Sequence, residues 1–260
     1  MKINTAFVKT LRETKLRMLK MHYDAQVGHL GSNLSCIDAL MTIYHHALKD
    51  DDQFVLSKGH SAGALYLTLW SLGKISEETL CTFAKDGTSI PGHPSGDNIP
   101  GLLFPTGSLG NGLSLSAGLA LSKKLKKKND LVFCLCSDGE FQEGSTWEGI
   151  IFSAHNKLDN LIIMIDQNGL QGFGSTHETV SFSDLTSRLE SFNAEVQNVD
   201  GHSPTQILRS LSKIKKNKLN VILLNTTKGK GLHNEGKLEC HYLPINKAEY
   251  LEAVKTISNA

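Results

Sequence analysis

The sequence lacks any apolar run long enough to cross a membrane. A spanning helix needs roughly 20 mainly apolar residues, and no stretch of this 260-residue chain approaches that length. The N-terminal segment MKINTAFVKTLRETKLRMLK mixes charged with apolar residues, so it also lacks the continuous apolar centre of a signal peptide. We therefore expect neither membrane insertion nor export.

A charge excess of either sign is also missing. Lys and Arg number 27 and Asp and Glu number 26, which gives a formal net charge of +1 at pH 7. The overall charge therefore gives no reason to expect nucleic acid or an anionic membrane as a partner. The basic run KKLKKK at residues 123–128 is interpreted as the solvated end of a helix, where positive charge is favourable.

Cysteine is scarce and shows no pattern of a metal site or of a disulfide framework. The five cysteines are odd in number and include no Cys-x-x-Cys pair. Cys134 and Cys136 occupy alternate positions of a predicted strand, so they share one face, and buried thiols are the favoured interpretation. These features predict a reducing compartment, and we expect the chain to be cytoplasmic.

The sequence does contain a regular alternation of strand and helix patterns. Strands are predicted at residues 53–57, 131–136, 161–165, 194–199 and 220–226, and helices at 5–26, 35–48, 61–72, 146–157 and 247–257, with others starting near 76, 113 and 203. Ser35 is predicted to cap the second helix, with Asp38 completing a capping box. Residues 171–192 are expected to be irregular.

These repeated strand–helix–strand units predict an α/β fold. We expect a doubly wound, mainly parallel sheet with helices on both faces. No internal repeat or linker divides the sequence, so residues 1–260 are expected to form a single domain. Residues 86–112 are rich in Gly, Pro, Ser and Asn and predict a long ordered loop, and loops of that length are usually functional.

Polar side chains follow two of the predicted strands. Asp138 follows the strand at 131–136, and Asn168 follows the strand at 161–165. The carboxyl ends of parallel strands share one edge, and the oxygens of these side chains suit Mg²⁺ or Ca²⁺, with the Leu170 carbonyl as a further ligand. Because Mg²⁺ is usually bound by few protein groups together with the phosphates of a substrate, a diphosphate is the natural further ligand. Alternatively, Asp138-Gly139 and Asn168-Gly169 are ordinary turns.

A glycine-rich segment, Gly107-Ser108-Leu109-Gly110-Asn111-Gly112, directly precedes a predicted helix. Exposed amides of such a loop and the positive end of a helix dipole can hold a phosphate. The glycine order differs from the dinucleotide fingerprint and from the nucleotide P-loop, so those two sites are disfavoured. The alternative is that the glycines only allow the helix to pack closely on a strand.

Three histidines follow glycines: His29, His60 and His93. A fourth, His241, lies near the C-terminus. Histidine exchanges protons near neutral pH and can donate to sugar hydroxyls or phosphate oxygens. The alternative is that each is an ordinary loop histidine. His45 and His46, inside a predicted helix, are interpreted as structural.

Several segments, read together, resemble the thiamine diphosphate-dependent transketolase family, in particular its separately encoded N-terminal subunit. They are GHLGSNLSCIDAL, FVLSKGH, IPGHP, TGSLGNG, SDGEFQEGSTWEG, KLDNLIIMIDQNGLQ and KGKG, and they are highly specific as a set and cover nearly the whole chain. The resemblance implies the diphosphate-binding type of the thiamine diphosphate fold. It also implies Mg²⁺, replaceable by Ca²⁺ or Mn²⁺, bound by Asp138, Asn168 and the Leu170 carbonyl.

The resemblance further implies roles for individual residues. The implied cofactor contacts are His60, Gly107, Ser108, Leu109, Asp138, Gly139, Glu143 and Asn168. The implied catalytic residues are His29, His60, His93, Glu143 and His241. Of these, His29, His93 and His241 would face the sugar and assist proton transfer, and His60 would line the diphosphate and ring sites. Glu143 would lie at the subunit interface near the partner's catalytic carboxylate.

Three positions depart from the family pattern. Ser137 replaces the first glycine of Gly-Asp-Gly, Leu30 replaces the proline that usually follows the first histidine, and Tyr242 replaces a common glycine after His241. Ser137 adds a side chain close to the expected diphosphate. We expect ligation by Asp138 to survive that change.

Members of the family transfer a two-carbon ketol unit from a ketose, or its phosphate, to an aldose or its phosphate. No segment resembles the family's pyrimidine-binding domain, so the resemblance implies a separately encoded partner subunit that carries this domain and the C-terminal part. We expect a chain that is inactive alone. The expected assembly is a heterotetramer whose interface is relatively apolar and buries more than about 2,000 Å².

Two alternatives stay open at this point. The chain could serve another thiamine diphosphate enzyme, such as a deoxyxylulose phosphate synthase or the α subunit of a 2-oxoacid dehydrogenase, although the histidine loops favour the sugar enzyme. It could also be a non-catalytic partner that keeps the fold, as Ser137 and Tyr242 would suggest. The presence of Asp138, Glu143 and Asn168 favours activity.

Overall fold

A five-stranded parallel sheet lies at the centre of the structure, a computed structural model that describes residues 3–95, 99–181 and 184–259. The strands of the chain are β1 (Gln53–Leu56), β2 (Val132–Ser137), β3 (Leu161–Gln167), β4 (Leu170–Gln171), β5 (Gly174–Ser175), β6 (Glu195–Asp200) and β7 (Asn220–Asn225). The sheet has the order β1-β2-β3-β7-β6, and each of its pairings is parallel. The strands β4 and β5 form a short antiparallel hairpin.

Helices cover both faces of this sheet. They are α1 (Thr5–Ala25), α2 (Leu30–His46), α3 (Ala62–Ser71), α4 (Glu77–Leu80), α5 (Asn111–Leu125), α6 (Gly144–His155), α7 (Thr176–Thr179), α8 (Leu185–Ser191), α9 (Pro204–Leu211), α10 (Glu239–Tyr242) and α11 (Lys247–Asn259). One core includes α1, α2, α3, α9 and α11, and the other includes α5, α6 and α8. The predicted doubly wound α/β fold is therefore confirmed. Among the described residues, no helix combines the length and apolar character needed to cross a bilayer.

Side chains of the central strands alternate between the two cores. In β2, Phe133 and Leu135 belong to the core with α1 and α2, whereas Cys134 and Cys136 belong to the core with α5 and α6. Successive side chains of a strand point to opposite faces, and a strand covered on both faces must be apolar throughout. The prediction that Cys134 and Cys136 are buried thiols on one face is confirmed.

The second helix begins earlier than the sequence predicted. It starts at Leu30, after His29 in a left-handed conformation with φ of 65°. Ser35 does not cap it, because the Ser35 hydroxyl donates to the Asp166 carboxylate at 2.5 Å. Asp38 accepts instead from Lys15 at 2.7 Å. The capping-box prediction was wrong because both polar side chains have partners on other elements, which a local pattern does not reveal.

The segment 171–192 also differs from the prediction. It was expected to be irregular, but it contains most of the β4–β5 hairpin and the helices α7 and α8. Asp184 caps α8 by accepting from the Ser187 N–H at 3.0 Å, and Leu185 and Leu189 are buried. A helix of seven residues has too few turns to show a clear period, which explains the error.

The long loop predicted at residues 86–112 is present in the described part of the chain. Neither a helix nor a strand occurs in residues 86–95 or 99–110, and α5 begins at Asn111. Residues 96–98 of this loop lie outside the described residues. The loop runs along the same side of the molecule as the end of β1, because the Thr106–Gly107 backbone lies directly against Gly59.

The buried ring of His22 in α1 makes stability depend on pH. Burial lowers its pKa from 6.5 to about 4, so between these values the unfolded chain binds a proton that the folded chain does not. The neutral ring's contribution to stability is complete above pH 6.5 and is lost as the pH falls through about 4. Between pH 6.5 and about 4, the free energy of unfolding of His22→Met should therefore fall by less than that of the unmodified protein. The expected difference between the two falls is up to about 3 kcal/mol.

Urea denaturation at a series of pH values measures this difference. His177→Met is the matched control, because His177 is exposed on α7, and it should keep the pH dependence of the unmodified protein. Identical pH profiles for His22→Met and the unmodified protein would contradict the prediction.

Candidate active site

The carboxyl ends of four sheet strands meet at one edge and carry three of the polar residues predicted to be functional, together with Lys228. His60 follows β1, Asp138 follows β2, Asn168 follows β3, and Lys228 follows β7. This edge is where open parallel sheets bind ligands. The sheet therefore brings together residues that are far apart in sequence.

A buried ion pair joins these strand ends. The Asp166 carboxylate at the end of β3 accepts from the Lys58 ammonium, which follows β1, and both side chains are fully buried. Asp166 also accepts from the Thr226 hydroxyl after β7 at 2.5 Å and from Ser35 of α2. Burial alone would raise the pKa of Asp166, but Lys58 and these hydroxyls hold it below its usual value. Asp166 is therefore ionised at neutral pH.

The predicted cation ligands lie next to this ion pair. The Asp138 carboxylate accepts from the Gly139 N–H at 2.8 Å and from the Gly169 N–H at 2.6 Å. Gly169 has φ of 75°, a value that glycine adopts without strain. The Asn168 amide nitrogen donates to Asp166 at 3.2 Å, and its oxygen accepts from the Leu170 N–H at 3.1 Å. The turn after β2 that carries Asp138 and the turn after β3 that carries Asn168 and Leu170 are thus joined by a hydrogen bond, and together they are called the cation loop.

The donor set of this loop fits a hard cation. Burial and the nearby Asp166 carboxylate together raise the pKa of Asp138 to about 6, against the opposing effect of the two N–H donors. The pKa shows that the protein around Asp138 compensates its negative charge incompletely, and a bound cation would supply that compensation. Within the described residues, no group of three or more His, Cys, Asp or Glu side chains could hold a metal. The loop differs from such a group because it combines one carboxylate with amide and carbonyl oxygens.

Lys228 connects the cation loop with a histidine. Its ammonium donates to the Leu170 carbonyl at 3.0 Å and lies 2.5 Å from the His241 Nδ1. Burial and the charge of Lys58 lower the Lys228 pKa to about 8, so Lys228 is mainly charged at pH 7. A charged Lys228 requires His241 Nδ1 to be the acceptor, and the ring proton of His241 then resides on Nε2. A cation on Leu170 would have to share this carbonyl with Lys228.

The four histidines predicted to be functional form a cluster. The His29 ring centroid lies 5.7 Å from that of His60, 5.5 Å from that of His93 and 5.2 Å from that of His241. The His60 and His241 rings are 5.8 Å apart. The His29 N–H donates to the His241 carbonyl at 2.7 Å, which ties α10 to the start of α2. These histidines come from four separate segments of the chain, and the fold brings their rings together into one group.

The rings of this cluster are held neutral. Burial, followed by the charges of His93 and Lys228, lowers the His29 pKa to about 4. Burial and Lys228 lower the His241 pKa to about 3. The pKa of His60 also lies well below its usual value, because of burial and Lys58, and burial lowers the pKa of His93. Each neutral imidazole has one nitrogen that can accept a hydrogen bond and one N–H that can donate one.

The glycine-rich turn lies beside the histidine cluster. A Cβ on Gly107 would come within 3.1 Å of the His93 ring. Ser108 is exposed and accepts from the Asn111 amide at 2.9 Å, while Leu109 is half-buried. A cavity of about 560 Å³ lies between this turn and the segment around His93. The turn is therefore open to a ligand on the side that faces His93.

A buried carboxylate fixes the other side of this turn. Glu140 accepts from the Gly110 N–H at 2.9 Å, from the Ser137 N–H at 3.3 Å and from the Ser57 hydroxyl. Burial raises its pKa, and these donors counter the increase. Glu143 is exposed at the start of α6 and borders the same turn, since a Cβ on Gly110 would lie 2.9 Å from the Glu143 Cβ.

Sequence reasoning did not single out four residues that organise this site. They are Lys58, Glu140, Asp166 and Lys228. Each lies within one of the segments that resemble the transketolase family. For Lys58 and Asp166 the sequence also holds a hint, because both are charged residues next to apolar strand residues. A charge in such a position requires a partner. The identity of that partner depends on the tertiary structure.

Comparison with known proteins agrees with this geometry. A family model described as the thiamine diphosphate binding domain of transketolase matches residues 4–258. The chain belongs to the transketolase family. The predicted family resemblance and the predicted thiamine diphosphate-binding domain are thereby confirmed.

Two relatives in this family are named as separate transketolase subunits. The chain is 34% identical over 270 residues to an apulose-4-phosphate transketolase subunit of Phocaeicola vulgatus, covering 99% of this chain and 95% of that protein. It is 35% identical over 240 residues to a 6-deoxy-6-sulfo-D-fructose transketolase subunit of a Clostridium species, covering 88% and 87%. The match is thus with transketolase subunits of nearly the same length.

Solved transketolases share the fold. The Campylobacter jejuni transketolase matches with a TM-score of 0.89 and 26% identity, over 98% of this chain and 43% of that chain. The Leishmania mexicana transketolase matches in fold with a TM-score of 0.90 and 22% identity, over 97% of this chain and 41% of that chain. The chain therefore spans about two fifths of the length of these transketolases.

The buried ion pair predicts a large loss of stability when one charge is removed. Lys58→Met leaves the Asp166 carboxylate buried without its cation, and we expect the free energy of unfolding to fall by about 3–5 kcal/mol. Lys58→Met combined with Asp166→Asn should recover part of that loss, because no uncompensated charge remains. Urea denaturation of the single and double variants measures this coupling.

Lys20→Met is the matched control, because Lys20 and Asp24 form an exposed pair on α1 at 2.8 Å. This variant should change stability little, since exposed pairs contribute little. Strictly additive losses in the Lys58 and Asp166 variants would contradict the coupling.

Proposed function

We propose that the chain is the thiamine diphosphate- and Mg²⁺-binding subunit of a two-chain transketolase. This subunit would help transfer a two-carbon ketol unit from a ketose, or its phosphate, to an aldose or its phosphate. The observation that carries the proposal is the meeting of a cation loop and a four-histidine cluster at one sheet edge, through Lys228. The match of the whole chain to named transketolase subunits supports it.

The cation loop would anchor the cofactor. Asp138, Asn168 and the Leu170 carbonyl would hold Mg²⁺, or Ca²⁺ or Mn²⁺ in its place, with oxygen ligands that these ions prefer. The bound cofactor supplies the carbanion chemistry that breaks and forms the C–C bond. The proposed contacts with its diphosphate and rings are His60, Gly107, Ser108, Leu109, Gly139 and Glu143. The whole chain would act as one cofactor-binding domain.

The histidines would handle the substrate's protons. His29, His60, His93 and His241 have lowered pKa values, so their rings are neutral at pH 7 and can accept hydrogen bonds from sugar hydroxyls or donate them to sugar oxygens. Lys228 would hold His241 in the tautomer whose Nε2 carries the proton. The ring centroids lie 5–6 Å apart, so the four rings are close enough to form hydrogen bonds with hydroxyl groups on neighbouring carbons of one substrate.

A partner subunit would complete the active site. Glu143 directly precedes α6, and that helix exposes Ile151 and Phe152, with 50% and 43% of their surfaces accessible. This apolar surface beside the glycine-rich turn would meet the pyrimidine-binding subunit, placing Glu143 near the catalytic carboxylate of that partner. We propose a heterotetramer of two chains of each type. The five free thiols suit a cytoplasmic protein.

Cofactor binding provides the first test of this function. We expect Asp138→Ala to weaken Mg²⁺-dependent binding of thiamine diphosphate more than about 100-fold, because loss of a ligand should exceed the loss of an outer partner. Titration calorimetry of the complex with its partner subunit measures the affinity. Asp130→Ala is the matched control, since Asp130 precedes the opposite end of β2 and pairs with Lys123. Unchanged affinity in Asp138→Ala would refute the cation site.

Activity of the separate and mixed subunits provides the second test. The chain alone should transfer no ketol unit, and adding the pyrimidine-binding subunit, thiamine diphosphate and Mg²⁺ should produce transfer from a ketose to an aldose, measured by chromatography of the sugars. Pyruvate decarboxylation without ketol transfer would indicate a different thiamine diphosphate enzyme. Cofactor binding without any turnover would indicate a non-catalytic partner.

A further inference from the structure

Tyr242 lies at the edge of the histidine cluster, directly after His241. Its ring centroid lies 4.3 Å from that of His241 and 5.8 Å from that of His29, both in edge-to-face arrangements. The side chain is 53% exposed. A large ring therefore stands between solvent and two of the four histidines.

The backbone holds this ring in place. A Cβ on Gly28 would collide with the Tyr242 carbonyl oxygen, so the segment before α2 packs directly against α10. The hydrogen bond from the His29 N–H to the His241 carbonyl fixes the same contact. The position of Tyr242 is thus set by the two segments that carry His29 and His241.

The phenol end of Tyr242 reaches a different part of the site. A Cβ on Gly172 would collide with the Tyr242 hydroxyl oxygen, so the hydroxyl rests against the Gly172 backbone. Gly172 lies in the β4–β5 hairpin that follows the cation loop. Tyr242 therefore bridges the space between the histidine cluster and that hairpin, a space that glycine at this position would leave open.

We infer that Tyr242 is a specificity-determining residue that limits substrate size. Its ring fills the side of the histidine site that faces the hairpin, so the site should favour short sugars over extended sugar phosphates that need this space. A side chain that occupies part of a site selects against longer molecules by steric exclusion. This inference rests on the proposed transketolase function and specifies its substrate class.

The complex of this chain with its partner subunit, thiamine diphosphate and Mg²⁺ allows a direct test. With hydroxypyruvate as donor, kcat/KM is measured for glycolaldehyde, a short acceptor, and for ribose 5-phosphate, an extended one. Tyr242→Gly should raise the ratio of the ribose 5-phosphate value to the glycolaldehyde value by about tenfold or more, mainly through a lower KM for ribose 5-phosphate. Tyr242→Phe keeps the ring and should leave this ratio within about twofold.

Gly172→Ala tests the contact between the Tyr242 hydroxyl and the hairpin from the hairpin side. The added methyl group collides with the Tyr242 hydroxyl, so it should displace the ring and change the acceptor ratio. In the Tyr242→Gly background the same substitution should have no further effect, because the group it displaces is absent. This coupling separates a role of Tyr242 from a general disturbance of the hairpin. The melting temperature of each variant shows whether it folds.

Phe173→Ala serves as the control, because Phe173 is an 87% exposed aromatic residue of the same hairpin, and it should keep the acceptor ratio. An unchanged ratio in Tyr242→Gly, or an equal change in Phe173→Ala, would refute size selection by Tyr242 and leave the proposed function intact. If the unmodified complex transferred to neither acceptor, the proposed function would fail, and the role of Tyr242 with it.

Discussion

The buried Lys58–Asp166 ion pair is the interaction on which the rest of the site depends. Asp166 lies at the end of a central strand and binds groups from β1, β7 and α2, so one carboxylate joins four elements. A charged pair with no exposed surface stabilises a protein only if its geometry and additional hydrogen bonds are good. That requirement fixes the relative positions of the strand ends, and the functional residues extend directly from those ends.

The electrostatic character of the site follows from this pair. Asp166 accepts from the Asn168 amide nitrogen, which leaves the amide oxygen to accept from the Leu170 N–H. The negative charge of Asp166 makes ionisation of Asp138 harder, while the positive charge of Lys58 disfavours protonation of His60 and Lys228. A carboxylate with a raised pKa and neutral imidazoles therefore lie side by side, and burial is the largest cause of each pKa shift.

The chain spans about two fifths of the length of the solved transketolases that share its fold. Its strand ends supply Asp138 and Asn168, and neighbouring segments bring His29, His93 and His241 beside them. The glycine-rich turn, the exposed Glu143 and the apolar face of α6 border the same region on the outside. In the proposed two-chain enzyme, separate encoding would remove the high effective concentration that a linker gives, so a strong interface would have to replace it.

The sequence by itself determined the fold class, the family and the candidate residues. Apolar strands, Asp138 and Asn168 after them, and the glycine-flanked histidines are local patterns, and local patterns can be read without coordinates. The start of α2, the partners of Ser35 and Asp38, and the roles of Lys58, Glu140 and Lys228 were decided only by the tertiary structure. The physical reason is that a buried polar group takes its partner from whichever element packs against it. The same holds for Tyr242, whose replacement of glycine was visible in the sequence, whereas its reach to Gly172 depends on how two distant segments pack.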